Sequence, residues 1–89
     1  MEAKLEEIAE IVRQHLAGEV LSGIAAEEIG DDRPLVTGGL LDSIASVRLI
    51  TFLEERFGVV FEAHEVGVDY LDTIAIIAGV VRSKLAGGE

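Results

Sequence analysis

Apolar residues recur at helical spacing in several stretches of the chain. Leu5, Ile8, Val12 and Leu16 stand three or four residues apart and share one face of a helix over about 3–16. Glu2, Glu6, Glu7 and Glu10 lie off that face, near the amino end that the helix dipole makes favourable for acids. Gly18 and Gly23 weaken helix propensity, so the helix ends near Gly18 or continues raggedly through Val20 and Leu21. Residues 24–41 read as a long connection. Gly30-Asp31-Asp32 is turn chemistry, Pro34 pushes Arg33 towards an extended conformation, and Gly38-Gly39 breaks what regularity remains. Ile29, Leu35, Leu40 and Leu41 are expected to pin this connection to the core, and a loop of such length in a small domain is often functional.

A second helix is predicted from Asp42-Ser43 to a carboxy-terminal cap at Gly58. Val59, Val60 and Phe61 form a short apolar stretch expected to pack under the helices, and a helical turn is expected near 63–66. Asp72-Thr73 caps a last helix that runs to about Leu85, with Ile74, Ile77, Ala78, Val81 and Leu85 as its stripe. Gly79 is expected to allow close helix contact, and 86–89 to fray. The expected architecture is all-α, one domain over 1–89 with about 3–85 ordered. Leu49, Leu53, Phe57, Ile74 and Ile77 are expected to be buried, with Leu5, Ile8 and Val12 against them.

The second helix has apolar residues on the wrong side. With Ile44 at zero and about 100° per residue, Leu49, Leu53, Phe57 and Ile50 fall between about 140° and 240°, while Val47 falls near 300° and Arg48 near 40°. Ile44 and Val47 therefore lie among polar residues, just after Ser43. Either a loop or another helix covers them, or they form a small docking surface beside a serine hydroxyl.

Composition narrows the chemistry. The chain has 89 residues, no cysteine and two histidines, His15 and His64. Disulfides, a thiol nucleophile and thiolate metal sites are excluded, and a histidine-based zinc site is disfavoured. Seven basic and 17 acidic residues give a net charge of −10. Such a chain repels nucleic acid and anionic membrane surfaces. No apolar run reaches the roughly 18–20 residues of a membrane span, and the amino terminus lacks the apolar core of a secretory signal. A cytoplasmic location is the default. Between Glu19 and Val81 there are 12 acids and 3 bases, so the acidity centres on the long loop and the second helix. That is either a solvated face or a field that steers basic partners. Neither Asp31-Asp32 nor residues 69–72 supply the alternating ligands of an EF-hand loop.

Ser43 lacks the support a catalytic serine needs. A hydrolase serine requires a base and an orienting acid, and neither histidine lies in a recognisable motif. Taken alone, Asp42-Ser43 is a helix cap. The wider run Gly38-Gly39-Leu40-Leu41-Asp42-Ser43-Ile44, followed by Val47, Leu49, Leu53-Glu54-Glu55 and Phe57-Gly58, resembles the acyl, peptidyl and D-alanyl carrier-protein family. Glu27-Glu28-Ile29 and Pro34-Leu35 resemble its loop landmarks, and the likeness runs from about Glu27 to Leu85.

The resemblance implies a four-helix bundle with a long loop between the first two helices and a short third helix. It implies that Ser43 receives 4′-phosphopantetheine, supplied by coenzyme A and attached through a phosphodiester by a phosphopantetheinyl transferase. Asp42 would support the magnesium-dependent attachment. The thiol of the arm would then carry an acyl or aminoacyl group as a thioester. Further partners would be a loading ligase and a downstream transferase or synthase, approached by a monomer through Ile44, Val47, Arg48, Glu54 and Glu55. The chain itself would be no enzyme.

Two positions depart from fatty-acid carriers. Leu40 stands three residues before the serine, where those proteins often have glycine, and Arg48 stands where many have an acid. The Gly-Leu-Leu-Asp-Ser form is more similar to D-alanyl-type and other stand-alone specialised carriers. Fatty acid, polyketide, non-ribosomal peptide and D-alanyl pathways all remain open. The competing reading is an unmodified helical interaction module with the carrier fold.

Overall fold

The computed structural model of the chain describes residues 4–21 and 23–87. The expected helical start at 3, Ser22 and the last two residues of the expected tail lie outside the described residues. Among those described, the α-helices are α1 (Leu5–His15), α2 (Ser43–Phe57), α3 (Val68–Leu71) and α4 (Ile74–Gly87), with no strand. The architecture is the all-α bundle with a long α1–α2 connection and a short third helix.

Helix α1 packs chiefly against α4, and α2 contacts α4 and the Leu16–Val20 segment that follows α1. Ile8, Val12 and Leu16 meet Ile74, Ile77 and Val81, and Leu49 and Leu53 close the core from α2; all eight are fully buried. Their spacing of three or four residues on each helix is the reason these segments are helical and face inward. Beyond His15 the chain does not stop at Gly18. It continues through a π-type turn, Leu16–Val20, closed by the Leu21 N–H donating to the Leu16 carbonyl at 2.7 Å.

The α1–α2 connection is ordered by its own apolar residues. Ile29, Leu35 and Leu41 are buried and Leu40 is half-buried, as expected, around a 3₁₀ turn at Ala26–Glu28. Arg13 of α1 donates to the Ile29 carbonyl at 2.8 Å and pairs with Asp31, and the Ala75 N–H donates to the Asp31 carbonyl at 3.0 Å. Gly38 packs so closely on Pro34 that a β-carbon there would overlap the Pro34 carbonyl oxygen.

Several expectations need correction. Leu5 is 43% exposed and Leu85 39%, because each lies a turn outside the buried run of its helix. Phe57 closes α2 half-buried, its ring beneath the Arg56 guanidinium at 5.4 Å. Val60 points outward while Val59 and Phe61 are buried, the alternation of an extended segment. The helical turn near 63–66 is a 3₁₀ turn at Ala63–Glu65, and the short third helix follows it as α3. Gly79 is exposed with open space around it; Ala78 is the small residue on the buried face of α4. Helix α4 continues through Gly87, where fraying was expected. The last helix is capped by Thr73, whose hydroxyl accepts from the Ile76 N–H at 3.1 Å, whereas the Asp72 side chain turns to the long loop.

Candidate functional site

The site is built at the amino end of α2. Leu41 is buried and anchors the incoming chain, and Asp42 then takes an extended conformation as the N-cap. Its carboxylate accepts the Ala45 N–H at 2.8 Å, and its carbonyl accepts the Ser46 N–H at 2.9 Å. Ser43 is the first residue of the helix and is exposed. At the far end Gly58 adopts φ +71° and donates to the Glu54 carbonyl at 2.9 Å, the cap expected from its lack of a β-carbon.

The buried face of α2 carries Ser46, Leu49, Ile50 and Leu53. The opposite face keeps Ile44 73% and Val47 58% exposed, so no other element covers them. Arg48 is exposed next to Val47, and Glu55 is exposed about two turns further along the helix. Glu54 is placed differently: it is half-buried and its carboxylate accepts the Phe61 N–H at 2.9 Å, which ties the segment after Gly58 back onto α2. Ser43, Ile44, Val47 and Arg48 thus share one open surface, and Glu54 is partly engaged within the fold.

Neither histidine serves Ser43 as a base. His15 lies stacked on Phe52, with ring centroids 3.7 Å apart and planes 6° from parallel, and His64 meets Tyr70 edge-on. Among the described residues no side chain hydrogen-bonds the Ser43 hydroxyl, and no group of acids and histidines is arranged to hold a metal.

One feature was not foreseen from sequence. A recess of about 380 Å³ lies between the π-type end of α1 and the outer face of α2, lined by His15, Glu19, Val20, Val47, Arg48 and Thr51. His15 Nε2 is buried there without a hydrogen-bond partner. Burial lowers the pKa of this imidazole below the ordinary value of 6.5, and the nearby Glu19 carboxylate offsets part of that. The pairing of His15 with Phe52 had no signal in the sequence, since both residues sit at ordinary helical positions.

The sequence model for phosphopantetheine attachment sites matches residues 7–81, from the first turn of α1 to the middle of α4. The chain belongs to the phosphopantetheine-attachment family. This carrier domain bears a covalent 4′-phosphopantetheine and works with a phosphopantetheinyl transferase and biosynthetic enzymes. The geometry fits such a group. An exposed hydroxyl at a helix amino end suits a phosphodiester, because the positive end of the helix dipole favours the anion. The arm supplies a thiol, which a chain without cysteine does not have. No helix of the described residues is long and apolar enough to cross a membrane.

Proposed function

We propose that Ser43 is the attachment residue and that the chain is a stand-alone, specialised carrier holding an acyl or aminoacyl group as a thioester. The observation that carries this reading is the exposed Ser43 hydroxyl at the start of α2, flanked by the uncovered Ile44 and Val47. Asp42 has two tasks in this reading. It caps α2, which fixes the backbone at the serine, and its exposed carboxylate supports the attachment chemistry in the transferase. In this reading the carrier itself performs no catalysis and acts as a cytoplasmic monomer.

Partner enzymes dock on the outer face of α2. Ile44 and Val47 supply apolar contact, Glu55 and the free side of Glu54 attract basic groups, and Arg48 selects against partners that present a cation. This charge at Arg48 supports a dedicated loading enzyme rather than general fatty-acid partners. A flexible arm then offers the same cargo to successive enzymes at high effective concentration. The test is intact-mass analysis of the protein isolated from its own cell with thioesters preserved. An acyl or aminoacyl group on a phosphopantetheinylated chain supports the reading and names the cargo. A chain recovered wholly without the prosthetic group contradicts it.

A further inference from the structure

The segment that leads into Ser43 is held by a residue distant in sequence. Asp72 stands at the junction of α3 and α4. Its carboxylate accepts the backbone N–H groups of Val36 at 2.9 Å and Thr37 at 2.8 Å, and the Thr37 hydroxyl at 3.0 Å. Its carbonyl accepts the Leu35 N–H at 2.6 Å. The Leu35 carbonyl in turn accepts from Leu40 and Leu41, at 2.8 and 2.9 Å, and Gly39 donates to the Val36 carbonyl at 3.1 Å. Asp42 and Ser43 follow directly.

Leu35 and Leu41 are buried and fix the two ends of this turn. Between them Val36 and Leu40 are half-buried and Thr37, Gly38 and Gly39 are exposed, so apart from the approach of Gly38 to Pro34 the middle of the turn has little packing of its own. The Asp72 carboxylate caps it much as an acid caps a helix, through charge-assisted hydrogen bonds to successive N–H groups. These bonds also hold the Asp72 carboxyl below its usual pKa, with the Thr37 N–H the largest cause. Thr37 and Asp72 add almost nothing to the apolar core, so removing the clamp costs its hydrogen bonds but none of the packing that Leu35 supplies.

We infer that Asp72 is a positioning residue for attachment of phosphopantetheine: by capping the 35–41 turn it sets how the chain enters α2, and so how Asp42 and Ser43 meet the transferase. The inference rests on Ser43 being the attachment residue. Its consequence is kinetic. When only a fraction of carrier molecules hold the docking-competent turn, apparent affinity falls by that fraction while the bound complex reacts as before.

The experiment measures initial rates of a broad-specificity phosphopantetheinyl transferase with coenzyme A against carrier concentration. Asp72→Ala, Asp72→Asn and Thr37→Val are compared with the natural chain, with Asp69→Asn on the exposed side of α3 as a control and Ser43→Ala as the blank. Backbone amide exchange is followed on the same samples. Asp72→Ala is expected to raise KM for the carrier on the order of tenfold with kcat almost unchanged. Thr37→Val raises KM less, and Asp72→Asn recovers most of the loss because its amide oxygen still accepts the two N–H groups. The Val36, Thr37, Leu40 and Leu41 amides exchange faster, and those of α2 do not. An unchanged KM in Asp72→Ala, or faster exchange throughout the bundle, overturns the inference. Should Asp72→Ala fail to fold, an unchanged KM in Thr37→Val overturns it instead. Modification of Ser43→Ala would overturn the attachment site itself, and the inference with it.

Discussion

Two residues on α2, about 200° apart around the helix, should respond very differently to truncation. Leu49 is fully buried in the core, whereas Val47 is 58% exposed on the outer face. Leu49→Ala removes buried carbons and leaves a cavity, a loss of about 2–5 kcal/mol. Val47→Ala removes methyl groups already largely in water, so about 1 kcal/mol or less is lost. The difference is decisive in a domain whose total stability is of order 5 kcal/mol. With a urea slope of about 1 kcal/mol per M, the midpoint falls by about 2–5 M for Leu49→Ala and by under about 1 M for Val47→Ala. At the upper end of that range Leu49→Ala is close to unfolded without denaturant. Urea titration followed by helical circular dichroism measures both. Equal midpoint shifts, or a larger one for Val47→Ala, would show that α2 is rotated from the orientation described and that its outer face is not free for partners.

Three further outcomes follow. Because burial depresses the His15 pKa in the fold, the unfolded chain takes up that proton first; stability is therefore full above about pH 6.5 and falls as pH drops below it. His15→Phe, which keeps an aromatic ring on Phe52, should flatten the urea midpoint between about pH 7 and 5; an unchanged slope would show that His15 is not the source. Glu54→Ala should cost about 1 kcal/mol and speed exchange of the Phe61 amide, while Glu54→Gln keeps that hydrogen bond and the stability. A loss of loading rate in Glu54→Gln then reports on partner contact, and no loss would remove Glu54 from the docking surface. Arg48→Glu should slow loading by the protein's own ligase and improve recognition by a fatty-acid-type partner, with both effects weakening as salt rises. If neither rate changed while Val47→Asp slowed loading, the apolar contact would stand and the charge argument would fall.

The helices were legible wherever apolar spacing was regular and unopposed. Ile8, Val12, Leu49, Leu53, Ile74, Ile77 and Val81 lie where periodicity places them, and the α2 limits follow from Asp42 and Gly58. Periodicity says nothing of where a stripe runs out, so Leu5 and Leu85 were included although neither is buried. Helix α3 is only four residues long, too short for a pattern to emerge from the loop around it. Asp72 shows a deeper limit. In sequence it is half of an Asp-Thr cap; only the fold brings it to Val36 and Thr37, and Thr73 alone suffices to cap α4. At the candidate site, the helical wheel puts Ile44 and Val47 off the core stripe, but that no element covers them is seen only in the fold. The recess beside Val47 could not be read from the wheel either, because it depends on how the π-type end of α1 meets α2.

Ser43 is the residue on which the account turns, and intact mass tests it most directly. The purified chain is incubated with a broad-specificity phosphopantetheinyl transferase and coenzyme A, alongside Ser43→Ala, whose helical circular dichroism should match the natural chain because Asp42 remains as the cap. The account predicts a gain of one phosphopantetheinyl group in the natural chain, placed on Ser43 by fragmentation, and none in the variant. Persistent modification of Ser43→Ala, or a natural chain that stays unmodified, would contradict it.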